Sequence, residues 1–404
     1  MSPYRWWLSA LLLLCALLLG PPARAEEPDA PGRPSGLPAD PVRLIESQME
    51  NLDVEPIEHF LREVNRTWEG YGPQISLRDF LELYQGGEGA KYAPQAILGG
   101  LFRYLVREIL ANADLLLKLV VLAIVAALLQ NLQAAFEAEA TGKVAYWVVY
   151  IVLMGLAVTG FGLAVATARQ VMETLHSFML AILPTLLTLL ISMGGVASAA
   201  IFQPVMAALL SVAGTVVTTV VFPLAFLAAL LEIASGLNEN YKLTNLAGLL
   251  RQGAMLTMGL TTTIFMGTVA VKGAAGAVAD GVTVKTAKFF VGSFIPVIGK
   301  TLSDAADLIM GSSILLKNGL GMLGAAVVFF IVAFPLLKIL SLTWVYQIAG
   351  ALVEPAGAGQ IAKMLTTMAK SLQLVFAAVG MVALMFFVSI AVIVGAANMT
   401  VMVR

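Results

Sequence analysis

The chain has 404 residues, 59% of them hydrophobic and 12% charged, with a mean hydropathy of +0.89. Soluble domains run about 45–50% apolar and about 25% charged, so this composition excludes a soluble globular enzyme, a disordered chain and a nucleic-acid binder. The net charge of −1 conceals a division, because residues 26–114 carry a net −8 and residues 115–404 a net +5. An acidic region therefore precedes an apolar body in which Lys and Arg sit among the spans, and such cations are retained on the cytoplasmic side.

The chain opens with Arg5, an apolar run from Trp6 to Gly20, and Ala23-Arg24-Ala25. These read as the charged, hydrophobic and small-residue parts of a secretory signal, with Ala23 and Ala25 at the cleavage site; the alternative is an uncleaved anchor. Cys15 lies inside the apolar run. Cleavage would leave no thiol, which removes disulfides, Cys-ligated metals and Cys nucleophiles from consideration. Residues 26–42 are rich in Pro, Gly and Ala and read as a linker. Leu77, Phe80, Leu81 and Tyr84 then repeat at helical spacing behind Ser76-Leu77-Arg78-Asp79, which resembles a capping box. A second stripe, Ile97, Leu98, Leu101, Leu105 and Ile109, leads toward the first span. Residues 26–114 thus form a small helical, acidic, extracytoplasmic region, either a solvated lid or a docking surface.

Apolar runs, free of charge except for Lys118 in the first, mark the spans at 115–134, 144–166, 177–193, 203–231, 253–271, 319–337 and 371–397, with a shorter run at 339–353. The expected architecture is an all-α, polytopic transmembrane helix bundle of about seven to eight spans over 115–404. Residues 174–231 hold no Asp, Glu, Lys or Arg. As helix they would extend roughly 87 Å, so two spans turning at Gly194-Gly195 are expected. With the N-terminus exported, residues 272–318 follow a fifth crossing on the cytoplasmic side, and their five Lys against three Asp agree with that placement.

A shift of 112 residues pairs Pro184 with Pro296 and Phe222-Pro223-Leu224 with Phe334-Pro335-Leu336. The two segments, about 144–232 and 256–344, read as an inverted repeat of the kind found in transporters. Lys300, Asp304 and Asp307 share one helical face. They are a candidate polar or pore-lining stripe, or else the wet face of an interfacial helix. Lys118, Glu232 and Lys338 are further intramembrane charges, each placed to snorkel from a span end. Gly155, Gly160 and Gly162, and Gly319, Gly321 and Gly324, form small-residue faces that would let helices approach closely.

Searches for chemistry return little. Gly299-Lys300-Thr301 has Phe294 where a phosphate loop needs Gly. His59 and His176 are isolated, and Asn65-Arg66-Thr67 is a short glycosylation match. No catalytic, cofactor-binding or metal site is expected, and no enzyme.

Several stretches together resemble the stage III sporulation protein AE family of endospore-forming bacteria. They are Tyr241-Lys242-Leu243-Thr244-Asn245-Leu246-Ala247, residues 280–289 from Asp280-Gly281-Val282 to Ala287-Lys288-Phe289, Phe294-Ile295-Pro296-Val297-Ile298-Gly299, Leu315-Leu316-Lys317-Asn318 and Phe334-Pro335-Leu336-Leu337-Lys338. The resemblance implies a multi-pass protein of the mother-cell membrane around the forespore, with an extracytoplasmic mature N-terminus. It implies work in a channel or feeding apparatus that sustains late forespore gene expression. The partners it implies are the other stage III sporulation A-operon proteins, including an ATPase and ring-forming proteins, and stage II sporulation protein Q. No nucleic acid and no cofactor are implied. A secondary transporter and a non-conducting assembly scaffold are the competing readings.

Overall fold

A computed structural model describes residues 55–71, 74, 76, 94–136, 139–237, 243–294 and 299–402; within its helices the side chains of 56, 94, 131–143, 236–237, 274, 277–278, 281–313, 315 and 396–402 lie outside that description. The signal residues Ala23 and Ala25, the linker and the 77–84 stripe also lie outside it. Among the described residues every regular element is helical.

Helix α1, Glu55–Trp68, carries Glu55 and Glu58 in its first turn and Arg66 in its last, each complementing the helix dipole. Its Ile57, Leu61, Val64 and Trp68 form one buried face, and its other face is charged. Helix α2, Pro94–Ala111, turns Ile97, Leu101 and Leu105 inward and Leu98 outward. Asn112 separates it from α3, Ala113–Phe136, and donates from Nδ2 to the Glu108 carbonyl at 2.8 Å and to Ser341 Oγ at 3.3 Å.

Helix α4, Glu139–Ser192, is continuous for 54 residues. It ends as the sequence predicts, at Gly194 with φ 88°. Gly194 N–H donates to Ile191 O and Gly195 N–H to Leu190 O, both at 2.9 Å, closing the paired C-terminal bonds that a left-handed glycine permits. Helix α5, Val196–Val216, runs into a π-helical turn, Val217–Val221, and then α6, Phe222–Leu237. Phe222 N–H donates to Val217 O. That wider turn stands just before Pro223, which has no N–H to offer the ladder and whose ring crowds the preceding carbonyls. Helices α7, Thr244–Phe294, α8, Gly299–Val353, and α9, Gly359–Met402, complete the bundle.

Six candidate membrane spans result: Ala113–Gln130, Val144–Ser192, Val196–Ser235, Thr244–Gly273, Leu316–Ala356 and Gly359–Gly395. The expected seven or eight reduce to six among the described residues because 144–166 and 177–193 share α4, and 319–337 and 339–353 share α8. Arg169, Glu173 and Lys338 interrupt hydropathy, yet all three residue types are good helix formers, so the backbone continues through them. Four candidate spans lie between the start of α3 and the α7–α8 connection, where five crossings are expected from the sequence. The 112-residue shift pairs the 193–195 turn with 305–307, which is continuous α8 backbone.

Helices α8 and α9 pack along each other and against α4, while α7 packs on α5, α6 and α9. Close approaches occur where glycine removes the Cβ. A Cβ at Gly160 would lie 2.1 Å from Tyr346 Oη, one at Gly321 2.3 Å from Val394 Cγ2, and one at Gly324 2.5 Å from Ile182 Cδ1. Gly155 and Gly162 face open space.

Candidate functional site

In so apolar a bundle, any ionisable side chain that is buried must be paired or hydrogen-bonded. Three such arrangements stand out.

The first is Asp280 of α7, fully buried. Helix α5 begins at Gly195, which has no side chain to cap it, so its first N–H groups need an outside acceptor. Asp280 supplies one. Its Oδ1 accepts from Ala197 N–H at 2.8 Å, and both carboxylate oxygens accept from Ser198 N–H at 3.2 Å. The negative charge also faces the positive end of the α5 dipole. Gly276, one turn earlier, makes the approach feasible, since a Cβ there would lie 2.6 Å from Ser198 Oγ.

The second is Lys317 of α8, also fully buried, whose Nζ donates to the Val394 carbonyl of α9. It lies one turn from Gly321, the glycine that admits the Val394 side chain.

The third is a polar cluster where α4, α6, α7 and α9 meet. Arg251 Nη2 donates to Glu232 Oε2 at 2.7 Å, with the two side chains 23% and 13% exposed. Beside the pair is a cavity of about 50 Å³, lined by Tyr150, Glu232, Ser235, Thr244, Lys363 and Thr367 among others. That is room for a few water molecules. Tyr150 Oη donates to Ile233 O at 3.2 Å, and Leu243 N–H donates to Ser235 Oγ at 3.1 Å, so the walls are held by hydrogen bonds. Away from this cluster, Tyr104 of α2 packs edge-on against Phe334 of α8 at 4.8 Å. Burial, then the nearby Glu108 carboxylate, pushes the Tyr104 hydroxyl up to about 12, which keeps it neutral at physiological pH.

The sequence-predicted residues are distributed as follows. Lys300, Asp304 and Asp307 occupy the opening turns of α8, at spacings that put them on one face of its backbone; their side chains lie outside the described residues. Lys118 pairs with Asp114 at 2.5 Å in the exposed first turns of α3. Glu232 is held by Arg251 and does not snorkel. Lys338 sits in the interior of continuous α8, not at a span end. Asp280 and Lys317 were not singled out as buried charges. Each is an isolated charge among small or apolar neighbours, Val278-Ala279-Asp280-Gly281 and Ile314-Leu315-Leu316-Lys317, which was the available signal. Among the described residues no group of three or more His, Cys, Asp or Glu is placed to hold a metal.

These contacts cap a helix, tie α8 to α9 and fix the end of α6 to α7. They are bonds within the chain, and they hold the long helices in register.

The family model for stage III sporulation protein AE matches residues 75–397. Stage III sporulation protein AE of Bacillus subtilis (strain 168) is 41% identical over 362 residues, 90% of this chain and 90% of that protein. No solved structure matches the chain. With six apolar helices of spanning length and a relative matched over 90% of both chains, this is a multi-pass membrane protein of sporulation, and it belongs to the stage III sporulation protein AE family.

Proposed function

We propose that the chain is a multi-pass component of a channel between mother cell and forespore, sitting in the mother-cell membrane that surrounds the forespore and required for late forespore gene expression. Family membership over nearly the whole chain carries this reading. The structure supports a role in assembly with other proteins over solute transport by one chain. The buried Asp280 and the partly buried Glu232–Arg251 pair are all engaged within the chain. A passage would then form between chains or with partners. The proposed partners are the other proteins of the same operon, including the ring-forming proteins and the ATPase, with stage II sporulation protein Q completing the complex from the forespore side. In this reading the leader is cleaved after Ala25, the mature N-terminus is extracytoplasmic, and the Lys300, Asp304 and Asp307 stripe faces water.

The test is a gene deletion in the sporulating host, scored by a late forespore reporter, with isolation of the tagged chain from sporulating cells. The expected result is loss of late expression and co-isolation of the ring-forming proteins. Normal late expression in the deletion strain, or uptake of a defined solute by vesicles holding this chain alone, would refute the channel reading.

A further inference from the structure

The cavity beside the Glu232–Arg251 pair lies where α6 ends and α7 and α9 begin. Glu232 and Ser235 come from the last turns of α6, Thr244 opens α7, Lys363 and Thr367 lie one turn apart near the start of α9, and Tyr150 closes the α4 side. Thr367 is 3% exposed and borders this space. Its neighbour Thr366 turns its hydroxyl back to Ala362 O at 2.8 Å, as Thr257, Thr261 and Thr262 of α7 do to the carbonyls one turn before them. The Thr367 hydroxyl makes no hydrogen bond among the described residues. It forgoes the bond its own helix offers, and a buried hydroxyl without any partner is costly, so the partner it needs is in the cavity.

Glu232 has a similar need. Its Oε2 accepts from Arg251 at 2.7 Å, while Oε1 accepts no bond among the described residues. The charges around the cavity decide what can fill it. Arg251 cancels Glu232, and Lys363, exposed and in no ion pair among the described residues, adds one positive charge. A cation would meet Arg251 and Lys363, and an anion would meet the Glu232 carboxylate. A neutral molecule that both donates and accepts suits the carboxylate, the ammonium and the hydroxyls alike. A volume of about 50 Å³ limits that molecule to a few waters.

We infer that this cavity is a structural water site, in which a few bound waters bridge Glu232 of α6 to Thr367 of α9 and reach the hydroxyls of Ser235 and Thr244. Bound waters of this kind make two to four hydrogen bonds to polar groups that otherwise lack them. They form a polar link between α6 and α9 at this end of the bundle, and the inference does not depend on the channel reading. Ser371, one turn beyond Thr367 on α9, supplies a dry comparison. It is 1% exposed and its Oγ also has no hydrogen-bond partner, but it does not border the cavity.

The test uses the full-length chain purified in detergent and unfolded in mixed dodecylmaltoside–SDS micelles. Thr367→Val keeps the shape of the side chain and removes its hydroxyl. Waters in the cavity would lose a partner, and the folded-to-unfolded ratio should fall by about fivefold or more; a dry hydroxyl without a partner is better replaced, and the ratio would hold or rise. Ser371→Ala, at the dry position, should leave the ratio nearly unchanged. No loss for Thr367→Val, or an equal loss for Ser371→Ala, would overturn the inference. A second readout uses the unaltered chain. Hydroxyl radicals made from water by a short X-ray pulse modify side chains that touch bound water. Tyr150 and Tyr346 are equally buried, at 1% and 0% exposed, and of the two Tyr150 borders the cavity. Tyr150 should be modified several-fold faster than Tyr346, and equal rates would overturn the water site. A saturable stabilisation by sodium, potassium or phosphate at constant ionic strength, lost in Thr367→Val, would make the occupant an ion and would also overturn it.

Discussion

A single methyl group at Gly160 should measure how tightly α4 and α8 are joined. The Cβ of Gly160→Ala would lie 2.1 Å from Tyr346 Oη and 3.2 Å from Tyr346 Cζ. Tyr346 is fully buried and donates to Ala157 O at 3.0 Å, so the ring must retreat by about an ångström and lose that bond. The bond is worth about 0.5–1.5 kcal/mol, and overpacking costs about 1–3 kcal/mol. Alanine returns about 1 kcal/mol through its helix preference, so a net loss of about 1–3 kcal/mol is expected. Tyr346→Phe alone loses only the hydrogen bond. In that background the nearest ring atom is 3.2 Å from the new methyl, a gap closed by a shift of a few tenths of an ångström. Gly160→Ala should then be close to neutral, giving a coupling of at least about 1 kcal/mol between the two sites. The assay is unfolding of the purified protein in mixed dodecylmaltoside–SDS micelles, followed by tryptophan fluorescence. Equal costs for Gly160→Ala in both backgrounds would refute the packing argument.

Three further outcomes follow from the buried polar contacts and the helix count. Asp280→Ala should destabilise the fold by about 1–2 kcal/mol in the same titration, because two N–H groups at the start of α5 lose their acceptor; Asp280→Asn, which keeps one carbonyl oxygen, should cost less, and equal costs would show that the cap is not the cause. Arg251→Met should cost about 1–3 kcal/mol by leaving Glu232 partly buried without its partner, a value set below the buried-pair range because both side chains retain some exposure. The Glu232→Gln, Arg251→Met double variant should recover most of that loss, and a double variant worse than either single one would contradict the pairing. For topology, reporters fused at residue 45 and residue 296 should report the same side of the membrane and a reporter at residue 141 the opposite side; opposite sides for 45 and 296 would restore an odd number of crossings between them.

The helical class, the membrane setting and the Gly194-Gly195 turn were legible in the chain because each depends on short-range properties. A charge-free run of membrane length, a helix-forming composition and paired glycines after an apolar stretch act within a few residues. The glycines at 160, 321 and 324 were legible as small surfaces for the same reason. The continuity of α4 and α8 was not, since hydropathy registers Arg169, Glu173 and Lys338 as interruptions while the backbones run through them.

The site is where tertiary structure decided most. Asp280 meets Ala197 and Ser198 from 83 and 82 positions away, and Lys317 meets Val394 across 77. No local pattern distinguishes a charge that will cap a distant helix from one that will sit at an interface. Helix formation is decided by the neighbours along the chain; what each helix faces is decided by which others it packs against, and that depends on contacts among all of them together.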